Sequence, residues 1–297
     1  PFPNRGEQRH MKLGGVRESG NVEDARGFGI PGGGKTVGGG CLTLVVVILA
    51  LLFGVDPRQL LDGGGVPQQG PPPAQQQGPQ QQPTDAESQF VSRVLSTTED
   101  VWSDIFRRNG SEYREPKLRL FTGRTDSACG RAGASVGPFY CPGDERVYID
   151  LSFFQELSQR FRAPGDFAQG YVIAHEVGHH VQNLLGTSDK VTQLQQRARS
   201  EAQVNDLSVR LELQADCYAG VWGFYAKQRD IIEPGDLEEA LRAASAIGDD
   251  RLQREAQGYA VPDSFTHGSS EQRTRWFRAG FDSGDLRRCD TFSTRAL

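Results

Sequence analysis

The chain has 297 residues, a length that corresponds to one or two domains. Its net charge of −5 at pH 7 provides no basic surface for nucleic acid, so we expect no nucleic-acid partner. Hydrophobic residues make up 36% of the chain, but glycine, proline and glutamine are concentrated before residue 84. We therefore expect the packed core to lie in the later part of the chain.

Residues 1–36 are polar and glycine-rich and show no hydrophobic periodicity, so they are predicted to form a disordered N-terminus on the cytoplasmic side. Within them, residues 29–36 match the GxxxxGK[ST] pattern of nucleotide-binding loops. Such a loop needs a hydrophobic strand before it and a helix after it. Residues 22–28 do not have the pattern of a strand, and more glycines follow the match. We therefore expect no nucleotide ligand.

Residues 41–55 form an uncharged apolar run. Together with residues 37–40, it reaches the roughly 20 residues that a membrane-spanning helix needs. A cleaved signal peptide is the alternative, but residues 54–57 make a poor cleavage site. Only Arg58 closely follows the run, whereas basic residues that include Lys12, Arg17, Arg26 and Lys35 precede it. The charge bias predicts a single-pass protein of the cell membrane, with a cytoplasmic N-terminus and the remainder outside.

Residues 56–84 are rich in proline, glutamine and glycine and are predicted to be an extended linker. Residues 85–297 then have the pattern of one globular domain. Hydrophobic spacing predicts strands over 117–122 and 146–151, and helices over 85–106, 152–161, 167–185, 190–228, 236–247 and 269–281. A few strands followed by many helices indicate an α+β domain, mainly helical with a small sheet.

The predicted helix 167–185 contains an HExxH motif, formed by His175, Glu176 and His179. Histidines four residues apart share one face of a helix, so both can bind the same Zn²⁺. Glu176 between them can take a proton from a zinc-activated water. Gly178 leaves room for another element to approach closely. The motif therefore predicts zinc-dependent peptide hydrolysis with Glu176 as the general base.

A catalytic zinc needs a third protein ligand and an open position. Glu212 and Asp216 are four residues apart on the predicted helix 190–228 and share a face. Glu212 is predicted to be the third ligand, and Asp216 to accept the N–H of a ligand histidine. The alternative for Glu212 is a solvated charge, but its apolar neighbours favour the metal site.

His267 is the candidate for hydrogen-bonding the oxyanion, because the other histidines after Met11 lie in or beside the motif. The alternative is that residues 266–270 cap a helix through Ser269 or Ser270. His180 points about 100° away from His179, so we expect a packing or hydrogen-bonded role for it.

These motifs resemble those of the bacterial neutral zinc metallopeptidase family. The similarity is carried by residues 21–27, 52–57, 137–142, 147–150, 175–180, 212–217 and 266–270. It implies a zincin-like hydrolase with Zn²⁺ as cofactor and a peptide or protein as substrate. It also implies contact with membrane lipid, which we assign to residues 37–55. The Glu212/Asp216 pair is similar to the ligand motif of gluzincins.

Cysteine positions test the predicted compartment, because disulfides persist outside the cytoplasm. Cys129 and Cys141 bracket a glycine-rich loop and are predicted to pair. Cys217 and Cys289 remain as a second pair. The alternative is four free thiols, and Cys217 is predicted to face away from the metal.

The function predicted from these residues is that of a membrane-anchored zinc metallopeptidase. The alternative is a zinc-binding pseudo-peptidase or peptide-binding module without turnover. Glu176 favours the enzyme, because a structural metal site needs no general base. Strand 146–151 is predicted to be the sheet edge that pairs with an extended peptide.

Overall fold

A computed structural model describes residues 11–26, 85–294 and 297. The fold is α+β and mainly helical, as predicted. The strands are β1 (Val22–Asp24), β2 (Lys117–Phe121), β3 (Arg124–Ser127), β4 (Gly130–Gly133), β5 (Phe139–Cys141) and β6 (Arg146–Asp150). The helices are α1 (Ala86–Arg108), α2 (Ser152–Gln159), α3 (Asp166–Leu184), α4 (Thr187–Gln196), α5 (Glu201–Gln228), α6 (Asp236–Ala246), α7 (Asp249–Gln257) and α8 (Ser270–Ser283).

Residues 11–26, here called the N-terminal strap, are ordered, so the prediction of disorder over residues 1–36 was wrong for this part. Met11 and Leu13 are buried in the main core, and β1 pairs in parallel with β2 through Val22 and Leu118. Residues 22–28 were predicted not to form a strand, and this prediction was wrong for Val22–Asp24. The strap has no periodicity because it runs extended over the domain and buries isolated side chains.

The main sheet has the order β1-β2-β6-β5. Strand β6 pairs in parallel with β2 and antiparallel with β5, so it lies inside the sheet. Strands β3 and β4 form a separate two-stranded hairpin. Side chains on both faces of β6 are buried, including Val147, Tyr148 and Ile149. The prediction that strand 146–151 is a sheet edge was therefore wrong.

The core between the helices brings α3 against α5. The rings of Phe167 and Trp222 stack there at 5.3 Å between centroids. A Cβ added at Gly178 would lie 3.0 Å from the carbonyl oxygen of Ala215, so a glycine leaves room that a side chain would crowd at this approach. This contact sets the two helices that carry the predicted metal ligands side by side.

The predicted helix 190–228 is two helices, α4 and α5. Ser200 is the N-cap of α5, and its side chain accepts a hydrogen bond from the backbone N–H of Gln203. A capping serine marks a helix start, because it satisfies one of the unpaired N–H groups of the first turn. The chain changes direction between α4 and α5, so that α5 packs against α3.

Both predicted disulfides are present, Cys129–Cys141 with an S–S distance of 2.01 Å and Cys217–Cys289 with one of 2.02 Å. The predicted membrane helix 37–55 and linker 56–84 lie outside the described residues. Among the helices of residues 11–26 and 85–294, none is both long and apolar enough to span a bilayer.

Candidate active site

The three predicted metal ligands come together between α3 and α5 and are here called the metal triad: His175, His179 and Glu212. Their ligand atoms all lie within 4.8 Å of one another. His175 Nε2 is 3.2 Å from Glu212 Oε2, and His179 Nε2 is 3.5 Å from Glu212 Oε1. Helix α3 supplies the two imidazoles from one face, and α5 supplies the carboxylate.

These distances fit a tetrahedral zinc ion. With bonds of about 2.0–2.2 Å to nitrogen and oxygen, two ligand atoms of such an ion are separated by about 3.3–3.6 Å. Two imidazoles and one carboxylate are also a common donor set of catalytic zinc. The donors and their spacing therefore suit Zn²⁺.

A buried network orients His175. Asp216 Oδ1 lies 2.9 Å from His175 Nδ1, which leaves Nε2 for the metal. The same carboxylate accepts hydrogen bonds from Arg273, at 2.8 and 3.0 Å, and from the hydroxyl of Tyr171. Burial by itself would raise the pKa of Asp216, but Arg273 and His175 outweigh it and lower the pKa to about 2. Asp216 is thus a fixed anion, as its predicted role requires.

Gln182 holds the second imidazole, and the sequence reasoning missed it. Its Oε1 lies 2.9 Å from His179 Nδ1, while its Nε2 donates to the carbonyl of Leu211 and to the side chain of Gln214. The signal was present, because Gln182 follows His179 by three residues and so shares its helix face. Arg273 and Tyr171 were missed for a different reason, since each reaches Asp216 from far away in the chain.

Glu176 is buried at the wall of the same cavity. Burial raises the pKa of its carboxyl group, against the opposing influence of His175 and His179. For His175 burial lowers the pKa, but Asp216 and Glu212 overcome this and raise it to about 10. Binding of a metal at His175 would therefore compete with a proton.

His267 lies in a loop that lines this cavity and is paired with Asp249. Asp249 Oδ1 is 3.2 Å from His267 Nδ1. Asp249 Oδ2 accepts the backbone N–H groups of Thr266, His267 and Gly268. Asp249 was not predicted, because nothing near it in sequence points to His267. The capping alternative is confirmed for Ser269, which is the N-cap of α8.

His180 and Cys217 lie as predicted. His180 is fully buried and hydrogen-bonded, with Nε2 2.6 Å from the carbonyl oxygen of Arg114. Cys217 is bound to Cys289 and does not belong to the metal triad.

The cavity has a volume of about 460 Å³ and mostly apolar walls. Beyond the metal triad, its wall includes Phe139 and Tyr140 of β5. Strand β5 is the edge of the sheet on this side among the described residues, whereas β6 lies behind it. The sheet edge that faces the metal triad is thus β5.

The model of the family described as "putative neutral zinc metallopeptidase" matches residues 11–292. The chain belongs to this family. It is 52% identical over 300 residues to the uncharacterized protein YpfJ of Escherichia coli strain K12, an alignment that covers 95% of this chain and 99% of that protein. It is 42% identical over 263 residues to the uncharacterized protein Rv2575 of Mycobacterium tuberculosis strain H37Rv, covering 84% of this chain and 86% of the other. No solved structure matches the chain.

Membership of the zinc metallopeptidase family agrees with the donor set of the metal triad. The match begins at residue 11, so it includes the N-terminal strap as well as the helices of the site. The strap is therefore part of the region that defines the family.

Proposed function

We propose that this protein hydrolyses peptide bonds in the cavity that the metal triad lines, with one Zn²⁺ per chain. The observation that carries the proposal is the triad itself, with ligand atoms within 4.8 Å of one another beside the buried carboxyl group of Glu176. A general base is superfluous at a purely structural metal site. The presence of Glu176 therefore favours peptide hydrolysis over a purely structural role of the metal.

A zinc ion held by the triad would supply Lewis acidity to the scissile carbonyl and would make water a stronger acid. Glu176 takes the proton of the attacking water and passes it to the leaving amine. Burial raises the pKa of Glu176, which suits a group that must both accept and release a proton near neutral pH. Asp216 keeps His175 in the tautomer that presents Nε2.

His267 is proposed to donate a hydrogen bond to the oxyanion. Burial lowers the pKa of His267, but Asp249 outweighs it and raises the pKa above the ordinary value. In its protonated form, His267 donates through Nδ1 to Asp249 and has Nε2–H for the substrate. Such donors lower the barrier because negative charge develops on the carbonyl oxygen in the transition state.

The substrate is proposed to be an extended peptide with apolar side chains. Strand β5 pairs with only one strand, β6, within the part of the chain that the structure describes. We propose that the peptide pairs with its other side, since main-chain pairing binds a peptide without selecting its sequence. The mostly apolar cavity walls would favour hydrophobic residues beside the scissile bond.

The test compares the full chain with its Glu176→Gln variant, in metal content and in cleavage of a mixed peptide library. We expect one zinc per chain in both and cleavage by the parent, reduced about 10²–10⁴-fold in the variant. The full chain is used because residues 11–26 belong to the fold. One zinc in both, with no cleavage in either, would support the alternative of a peptide-binding module without turnover.

We also propose that the protein is attached to a membrane through residues 37–55 and that its active site lies outside the cytoplasm. Two disulfides support an oxidising compartment. A single crossing would separate residues 11–26 from residues 85–297, yet the strap packs against that domain. We therefore propose that both lie on the same side of the membrane, in place of a cytoplasmic N-terminus.

Labelling intact cells with a membrane-impermeant thiol reagent tests this arrangement. Gly15→Cys probes the strap and Ser158→Cys probes the domain, each at an exposed position and in a Cys41→Ser background. We expect both cysteines to be labelled. Labelling of Ser158→Cys alone would support a single crossing with a cytoplasmic N-terminus. In that case the strap would not pack against the domain in the cell.

A further inference from the structure

His180 follows the HExxH motif directly but takes no part in the metal triad. Its side chain is fully buried at the side of α3 that faces β5 and the loop before β2. Nε2 lies 2.6 Å from the carbonyl oxygen of Arg114, and Nδ1 lies 3.0 Å from the hydroxyl oxygen of Tyr140. Asn183, one turn further along α3, donates from Nδ2 to the same hydroxyl at 3.1 Å.

The direction of these hydrogen bonds is determined by chemistry. A carbonyl oxygen only accepts, so His180 carries its proton on Nε2 and donates it to Arg114. Nδ1 is then an acceptor, and the hydroxyl of Tyr140 must donate to it. The same hydroxyl oxygen accepts from Asn183, so all of its polar contacts in this cluster are satisfied. Tyr140, His180 and Asn183 are here called the tyrosine clip.

The tyrosine clip joins the metal-binding helix to the sheet edge beside the cavity. Tyr140 is the middle residue of β5, and its ring packs edge-on against the ring of His180 at 5.4 Å between centroids. His180 is the immediate neighbour of His179, which belongs to the metal triad. The position of β5 relative to the metal is thus held by two hydrogen bonds to α3.

A peptide that pairs with β5 would take its register from this strand. A misplacement of about 1 Å between reacting groups costs on the order of 10²-fold in rate, so the spacing between strand and metal matters. We propose that Tyr140 is a positioning residue, whose hydroxyl holds β5 at the distance from α3 that places the scissile carbonyl of a paired peptide at the metal triad. This inference rests on the proposed function.

The experiment uses Tyr140→Phe in the full chain, which removes the hydroxyl and keeps the ring. Two nested peptides are compared, a short one that contains only the residues around the scissile bond and a long one extended to pair with β5. The parent should cleave the long peptide with the higher kcat/KM. In the variant we expect that advantage to fall about tenfold, because the two hydrogen bonds of the hydroxyl are lost. The advantage is the ratio of kcat/KM for the long peptide to that for the short peptide, measured separately in each variant, and zinc content should stay at one ion per chain.

Tyr148→Phe is the matched control. Tyr148 lies on the neighbouring strand β6, and its hydroxyl donates to Asp144 at 2.7 Å, away from α3. Tyr148→Phe loses one hydrogen bond on the neighbouring strand, so a general loosening of the sheet would reduce the advantage of the long peptide in both variants. We expect Tyr148→Phe to keep the full advantage of the long peptide. If Tyr140→Phe fails to fold, Asn183→Ala carries the same test, because it removes one partner of the hydroxyl.

The outcomes separate the two proposals. A parent that cleaves neither peptide overturns the proposed function, and this inference falls with it. A parent that cleaves both, with an unchanged length advantage in Tyr140→Phe, overturns the inference alone. An equal loss in Tyr140→Phe and Tyr148→Phe also overturns it, because the effect would then be one of general stability.

Discussion

The helix pair α3/α5 and the N-terminal strap are both needed to complete the fold, but they differ in how their residues find their partners. The metal triad uses two histidines four residues apart and a carboxylate on a second helix. The strap uses Met11, Leu13 and Val22, whose burial depends on surfaces formed elsewhere in the chain. The metal triad can be predicted from the sequence, because residues four apart on a helix lie on one face. The docking of the strap cannot, because its contacts follow no regular spacing along the chain.

The regions also differ in what stabilises them. The helix pair is held by a buried ion pair between Asp216 of α5 and Arg273 of α8, whose side chains are 0% and 3% exposed. The strap relies on apolar burial and on backbone bonds such as the one from Lys12 N–H to the carbonyl of Ile231 at 2.8 Å. Four substitutions test this contrast, and they are ordered by expected effect.

The largest effect is expected for Asp216→Asn. It leaves Arg273 buried without its counter-charge, which should lower the free energy of unfolding by about 3–5 kcal/mol. It also removes the carboxylate behind His175, so zinc affinity should fall about 10–100-fold. Chemical denaturation and zinc titration measure both effects. The control Asp206→Asn changes an exposed carboxylate on the same helix, bonded to Arg210, and should cost about 0–1 kcal/mol.

Leu13→Ala tests the strap. Leu13 is 7% exposed, and truncating a buried leucine should lower the free energy of unfolding by about 2–4 kcal/mol. Zinc affinity should not change, because the strap does not contribute to the metal triad. Gly15→Ala is the control, since a Cβ there meets nothing within 4 Å. Equal stability of the two variants would mean that the strap is not docked in solution.

Gly178→Ala tests the contact between the helices. An exposed glycine within a helix would gain up to about 1 kcal/mol when replaced by alanine. Here the new Cβ would press on the backbone of Ala215, 3.0 Å from its oxygen and 3.2 Å from its Cα. We expect the opposite sign, a loss of about 1–3 kcal/mol measured by denaturation, together with weaker zinc binding as α5 moves. A gain in stability would contradict the close approach.

The smallest effect is expected in the pH profile of Asp249→Asn. The raised pKa extends the protonated form of His267 to higher pH, so activity should decline as pH rises through that pKa and the imidazolium is lost. Asparagine removes the charge that raises the pKa, so the alkaline limb of kcat/KM should move to lower pH. An unmoved limb would show that His267 does not donate to the substrate. The acid limb should move little.

The raised pKa of His267 predicts that its contribution to stability, like its contribution to activity, is lost as pH rises. A group whose pKa is higher in the folded protein contributes stability below its ordinary pKa and loses it as pH rises through the folded value. For Asp249 burial raises the pKa, but His267 and the neighbouring N–H groups outweigh this and lower it. Its contribution is therefore lost as pH falls. The pair should stabilise the fold most between these limits.

The sequence by itself determined the fold class, the two helices of the site and both cysteine pairs. Residues four apart on a helix share a face whatever surrounds them, which is why His175, His179, Glu212 and Asp216 were found. The tertiary structure alone decided which sheet edge faces the metal triad, because strand order depends on pairing between distant segments. The same holds for Asp249 with His267, for Arg273 with Asp216 and for the docking of the strap. These contacts join residues that are far apart in the sequence and meet only in the folded chain, so no local sequence pattern predicts them.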